Sequence, residues 1–209
     1  MKLHIIVLII LVFLMLGKKN KYIEKFSEKK DIIIVGNAPY DKNKENGELI
    51  NSFNNVVRFN NFSINKEHQN YIGNKTDYWC ISCFVYYSNK KLYNSRKNNI
   101  ENILILKPNK FLNRYPIKKD DKILALIEKR DIIVPKEYDF GKNWPSTGLL
   151  AVFYFLQKYP KVYVTGFNHF DKNKGSIHYY ENLKQIGHKS NLEKEIFNDL
   201  KLKGKLLYI

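Results

Sequence analysis

Short apolar runs, each closed by a glycine, asparagine or serine, set the rhythm of this chain. Asp31-Ile32-Ile33-Ile34-Val35 runs straight into Gly36, the pattern of a strand buried on both faces of a parallel sheet. The same reading gives strands over Asn54–Phe59, Tyr78–Val85, Ile103–Leu106, Ile132–Val134, Val162–Thr165 and Leu206–Ile209. Helical periodicity is clearest over Asp121–Arg130, Ser146–Lys158 and Ser190–Leu202. Strands alternating with helices predict an α/β fold: a single Rossmann-like domain with a mostly parallel sheet and helices on both faces. In such sheets ligands bind outside the carboxyl ends of the strands. That rule lines up Gly36-Asn37, Asn60-Asn61, the stretch from Pro135 to Thr147, and Gly166-Phe167-Asn168 along one rim.

The chain has 209 residues, enough for one domain with a good core. Its start is different in kind. Leu3–Leu16 is apolar apart from His4, with Lys18, Lys19 and Lys21 after it. Fourteen helical residues span about 21 Å, short of a bilayer's hydrocarbon core of about 30 Å. A short membrane anchor and the apolar region of a signal peptide both fit. The absence of a small-residue cleavage pattern favours a retained signal-anchor in residues 1–17, joined to a charged linker in residues 18–30. The trailing lysines favour a cytosolic side for the rest of the chain, a rule that signal anchors sometimes break, so the side stays open.

A net charge of +16 suggests nucleic acid, but only Arg58, Arg96, Arg114 and Arg130 of the 36 basic residues are arginine. Lysines scattered through Asn-, Ile- and Tyr-rich sequence make a solvated surface; arginine is the residue suited to bidentate phosphate and base contacts. No nucleic-acid partner is expected. An anionic small molecule or an acidic membrane face fits the charge as well. The two cysteines, Cys80 and Cys83, read C-x-x-C. No second Cys or His pair stands at metal-ligand spacing, so core thiols fit better than a zinc or redox site.

Pro145-Ser146-Thr147-Gly148 carries the strongest local signal. Ser146 or Thr147 at a helix start is an ordinary N-cap. Yet Gly148 just inside the helix costs about 0.5–1 kcal/mol against alanine, which implies that something comes close. A helix start with spare N–H groups and hydroxyls also attracts anions. Gly36-Asn37 and Asn60 end strands; each is either a plain turn or a place where an amide meets a phosphate or ribose. Three of the five histidines lie between His169 and His188. His178 opens His178-Tyr179-Tyr180-Glu181. His188 stands at the head of the last helix, where a neutral imidazole can take a proton from a sugar hydroxyl. Glu193 is placed to orient His188 or to begin a capping arrangement. Neither the histidine spacing nor any acidic pair on the rim makes a metal site.

Taken together, these segments resemble the sialyltransferases of glycosyltransferase family 29. Ile34 through Asn60 to Thr76 is similar to the family's large motif, and Pro145-Ser146-Thr147-Gly148 through Phe167 to its small motif. His178-Tyr179-Tyr180-Glu181 resembles the third motif, and His188 to Glu193 the very small H-x4-E motif. A looser similarity to family 42 sialyltransferases lies in the G-N-x-P turn and in Gly187-His188-Lys189-Ser190-Asn191. The resemblance implies a catalytic domain of the GT-A variant type over residues 31–209 that transfers sialic acid from CMP-sialic acid to a glycan acceptor, inverting, with no metal or other cofactor. It implies that Asn37 and Asn60 hold the nucleotide and its phosphate, that Ser146, Thr147 and Gly148 line the donor pocket with Tyr179, and that Gly36 and Glu193 support the site. It makes His178 the group that stabilises the departing phosphate and His188 the base. A non-catalytic nucleotide-sugar or glycan-binding module on the same fold is the alternative. A single-pass, Golgi-type membrane location would follow in a eukaryote or a eukaryotic host. Animal members carry a cysteine in each of the large and small motifs, joined as a disulfide; this chain has none there.

Overall fold

The computed structural model describes residues 32–106, 123–127, 134–141, 145–169, 177–181 and 190–209. The proposed anchor and linker, residues 1–30, lie outside them, as does His188. Among the described residues no helix is long and apolar enough to cross a membrane.

Seven strands form one sheet: β1 (Ile32–Val35), β2 (Asn55–Phe59), β3 (Tyr78–Ser82), β4 (Asn102–Leu106), β5 (Ile123–Ile127), β6 (Val162–Thr165) and β7 (Leu206–Tyr208). Their order is β5-β4-β3-β2-β1-β6-β7 and every pairing is parallel. From β1 the chain winds outward through β2 to β5, then returns to the other side of β1 with β6. The strand order therefore reverses between β1 and β6, and the crevice at their carboxyl ends is where doubly wound sheets bind ligands.

Continuous apolar strands are explained by cover on both faces. Ile32 and Ile34 of β1, with Leu104 and Leu106 of β4, point to the face covered by α5 (Thr147–Leu156) and α6 (Ser190–Leu202). Their neighbours Ile33, Val35, Ile103 and Ile105 point to the face covered by α1 (Gly47–Asn51), α2 (Lys66–Ile72), α3 (Cys83–Ser88) and α4 (Lys90–Arg96). Seven of the ten residues of α5, from Gly148 to Phe155, are buried, so this helix is a core element whose start is fixed rigidly against the sheet.

Two expected elements come out differently. Within Asp121–Arg130, expected to be helical, Ile123–Ile127 forms β5 and pairs with β4. Five apolar residues between charged flanks match the length of a strand buried in a parallel sheet, and pairing overrides the helix propensity of Leu and Ala. The expected strand Tyr78–Val85 stops at Ser82, whose hydroxyl accepts from Val85 N at 3.2 Å and caps α3. Cys83 and Tyr86, three apart, then form that helix's buried face. Of the strand expected over Ile132–Val134, residues 132 and 133 lie outside the described residues, and Val134 has no strand pairing.

Arg58 is a charge inside this sheet, 1% exposed. Its Nε donates to the Lys75 carbonyl and to Thr76 Oγ1, both at 3.1 Å, and Nη2 donates to the Ile72 carbonyl at 2.7 Å and the Gly73 carbonyl at 3.1 Å. The guanidinium thus staples β2 to the turn after α2, and burial lowers its pKa to about 10. Arg58→Met keeps the apolar stem but strands these acceptors, and each buried acceptor left unmet costs about 1–3 kcal/mol. A loss of at least about 3 kcal/mol is expected, read as a fall in Tm of about 6–12 °C in a domain of this size; a change under about 1 °C would contradict the staple.

Candidate functional site

The switch-point crevice is floored by two glycines. A Cβ on Gly36 would stand 2.0 Å from the Gly166 carbonyl oxygen, and Gly166 has φ +69. Gly36 N donates to Thr165 O at 2.7 Å and Ala38 N to Gly166 O at 3.0 Å, extending the β1–β6 ladder past the strand ends. No side chain fits between them. Above this floor lies a cleft bordered by Asn37, Asn60, Ser146, Thr147, Gly148 and His178, with Phe59, Phe167, Asn168, His169, Ile177 and Glu193 completing the wall. Segments from near the start of the domain and from its last helix meet here, and the wall includes most of the residues picked out from sequence.

Their chemistry is more structural than sequence suggested. Asn37 is 5% exposed; its Nδ2 donates to the Phe59 carbonyl at 3.2 Å and the Asn61 carbonyl at 3.0 Å, with Tyr180 Oη at 3.4 Å. The amide hydrogens expected to meet a ligand are engaged in tying the end of β1 to the end of β2. Asn60 takes the left-handed conformation, φ 49, which asparagine tolerates. It donates through Nδ2 to Thr147 Oγ1 at 3.2 Å and accepts from Ser82 N at 2.9 Å, so it bridges the starts of α5 and α3. The missing side chain of Gly148 makes room for protein: a Cβ there would lie 2.9 Å from Phe167 Cε1 and 3.0 Å from Phe59 Cζ.

Ser146 is the N-cap of α5, accepting from Leu149 N at 3.2 Å. Its own N and Oγ donate to Glu193 Oε1 at 2.7 Å and Oε2 at 2.6 Å. Glu193, 2% exposed in the first turn of α6, therefore clamps one helix start to another. Both carboxylate oxygens accept from Ser146, an arrangement at a helix start, while His188 lies outside the described residues. The signal for this in sequence was only a carboxylate at a helix start, which names no partner.

His178 is held from one side. Its Nδ1 lies 2.6 Å from Glu181 Oε1, and its ring stacks on Tyr180 with centroids 5.2 Å apart. With Nδ1–H donating to Glu181, Nε2 is an acceptor in the neutral ring; in the cation both nitrogens are donors. Tyr179 turns elsewhere: its hydroxyl donates to the Ser63 carbonyl at 2.6 Å and accepts from Ser63 N at 3.0 Å, and its ring lies against His68. It does not border the cleft; with its N donating to the Asn37 carbonyl at 3.0 Å it struts the His178 segment onto the sheet. Burial raises the pKa of Tyr179 and, more strongly, that of Tyr180, keeping both hydroxyls neutral. Tyr180 and Glu181 are the functional neighbours that sequence reading passed over, although they stand in the same four-residue motif.

In a doubly wound parallel sheet, a polar cleft at the switch point is where ligands bind, nucleotides among them. The family model for glycosyltransferase family 29 (sialyltransferase) matches residues 11–119 and 121–205. The chain belongs to that family and is a sialyltransferase-like glycosyltransferase, acting between a nucleotide-sugar donor and a glycan acceptor. Among solved structures, a mammalian sialyltransferase is similar with TM-score 0.59 and 19% identity, over 86% of this chain and 68% of the other. A mammalian sialyltransferase in complex with Gal-beta-1-3GalNAc-ortho-nitrophenol is similar with TM-score 0.57 and 18% identity, over 88% of this chain and 72% of the other. At these identities the likeness concerns the fold. No curated protein matches the chain.

Burial raises the Glu193 carboxyl above its ordinary value, with the two Ser146 hydrogen bonds opposing it. The folded protein then holds this proton more tightly than the unfolded chain, so stability falls as pH rises from about 4.5 through the raised value. Denaturant unfolding of Glu193→Gln across that range is expected to lose this component of the slope. An unchanged slope would mean that Glu193 titrates alike in both states.

Proposed function

We propose that this protein is an inverting sialyltransferase that moves sialic acid from CMP-sialic acid to a glycan hydroxyl without a metal ion. The observation that carries the reading is the convergence of the α5 start and His178 on one cleft at the β1/β6 switch point. The first N–H groups of a helix have no partners within the helix and attract phosphate. In this reading Thr147 and the backbone at Gly148 receive the donor phosphate, Asn37 and Asn60 fix the shape of the nucleotide's place, and Ser146 with Glu193 keeps the helix start rigid.

In the reaction the bond between the sialyl anomeric carbon and the phosphate oxygen breaks. The acceptor hydroxyl oxygen bonds that carbon from the opposite face, its proton goes to His188, and CMP leaves. Protonated His178, held by Glu181, donates to the departing phosphate as its charge grows. Donors fixed in advance where charge develops are worth several kcal/mol at a reaction centre, so positioning and hydrogen bonding do the work a metal would do elsewhere. His188 takes its role from the motif it resembles. The N-terminal apolar segment, residues 1–17, is proposed to hold the enzyme at a membrane.

A donor screen tests the reading: the full chain with CMP-sialic acid, UDP-galactose and GDP-fucose, each with and without EDTA. Hydrolysis or transfer from CMP-sialic acid alone, insensitive to EDTA, is expected. Turnover of a uridine or guanosine donor, or complete loss in EDTA restored by manganese, would sink it. With Gal-β1-3-GalNAc as the first acceptor, His188→Ala is expected to lower kcat about 10²–10⁴-fold with CMP affinity unchanged. His178→Ala is expected to weaken both, since its partner is present in the ground state as well.

A further inference from the structure

Phe84 stands out because it is a large apolar side chain left 67% exposed while its neighbour Cys83 and Tyr86, two residues on, are each 3% exposed. Helix α3 buries Cys83 and Tyr86 against the sheet face shared with Trp79, Ile81 and Ile105, which turns Phe84 away from the core. A lone exposed aromatic on a remote surface has no meaning by itself. This one stands in the first turn of α3, directly after β3, at the end of the sheet where the cleft opens. It comes two residues after the carboxyl end of β3, and Ser82, which caps α3, is hydrogen-bonded through Asn60 to Thr147 at the edge of the cleft. The chain Thr147–Asn60–Ser82 therefore fixes the start of α3 relative to the cleft. β3 is two places from β1 in the sheet, about 10 Å at the usual strand spacing.

We propose that Phe84 is an acceptor-specificity residue: an aromatic platform for the apolar face of the second sugar of the acceptor, the one beyond the sugar that receives the bond. The inference rests on the reading of the protein as a glycan-modifying transferase. Aromatic rings present a flat apolar surface with a negative face, which matches the C–H-rich face of a pyranose. The distance suits the second sugar: the receiving hydroxyl lies at the cleft, and a platform two strands away meets the next residue.

The test uses the full chain and its Phe84→Ala and Phe84→Trp variants in three assays: hydrolysis of CMP-sialic acid without acceptor, transfer to methyl β-galactoside, and transfer to an aryl glycoside of Gal-β1-3-GalNAc. Phe84→Ala is expected to leave donor hydrolysis and the monosaccharide KM unchanged. It is expected to raise the disaccharide KM about 3- to 10-fold, the size of one aromatic contact, and Phe84→Trp is expected to restore it. An equal effect on both acceptors, or none on either, overturns the platform. Absence of donor hydrolysis in the unaltered chain would sink the donor reading instead. The Phe84 contact would then be decided by saturation-transfer NMR of the disaccharide glycoside with Phe84→Ala, where an unchanged signal overturns it.

Discussion

Gly36 and Gly166 approach so closely that a methyl group on the first would stand 2.0 Å from the carbonyl oxygen of the second, and the arrangement of the cleft depends on that approach. β1 and β6 pair along Ile33–Tyr163, Ile34–Val164 and Val35–Thr165, and their ladder continues through the two glycines before the chains part. One chain turns to Asn37 and the other to Asn168 and His169. A bulkier residue at either position would push these turns apart and separate the β1 side of the cleft from the side built by residues 166–169. Segments far apart in sequence meet here because β1 and β6 are neighbours in the sheet, at the point where the strand order reverses and a crevice opens.

Most polar residues around the cleft are bound to protein, which gives the site its rigidity. Asn37 joins two strand ends, Asn60 joins two helix starts, and Glu193 joins α6 to the cap of α5. Such groups must be satisfied when buried, and once satisfied they hold the start of α5 and the His178 segment in fixed positions. Catalysis by prepositioned donors asks for this, because a donor that must reorganise during the reaction loses much of its effect. Tyr179 fits the same division of labour. Anchored on Ser63 and packed on His68, it holds the backbone from which His178 and Tyr180 project.

Where the sheet ran through unbroken apolar runs, the sequence was easy to read: Ile32–Val35 and Val162–Thr165 were found as strands because both faces are covered. Ser190–Leu202 was found as a helix because its apolar positions recur on one face. Ile123–Ile127 was misread, since five apolar residues rich in Leu and Ala carry no period of their own and only the neighbouring strand decides. Ser82 hid a strand-to-helix change because Phe84, Val85 and Tyr86 all favour strands in isolation. In the site, residue types at strand and helix ends were visible, but partners were not. Nothing in sequence says that the Asn37 amide meets carbonyls, or that Glu193 grips Ser146, because those choices are made by segments that converge only in the folded sheet.

The missing disulfide obeys the same logic. In animal relatives, as the resemblance implies, the large and small motifs are cross-linked; here the corresponding stretches, residues 31–35 and 159–164, include strands that are already adjacent and hydrogen-bonded. A cross-link between such strands would act mainly on the unfolded chain, by about 5 kcal/mol for the loop of roughly 130 residues between them. This chain does without it, and its described core includes α5, buried along most of its length. Its two cysteines, Cys80 and Cys83, are buried thiols, and burial pushes that of Cys80 well above its ordinary pKa. A thiol of that kind is a poor nucleophile and packs as a small apolar group. The described fold therefore holds its cleft through backbone pairing, one glycine contact and a buried carboxylate, none of which depends on the redox state of its surroundings.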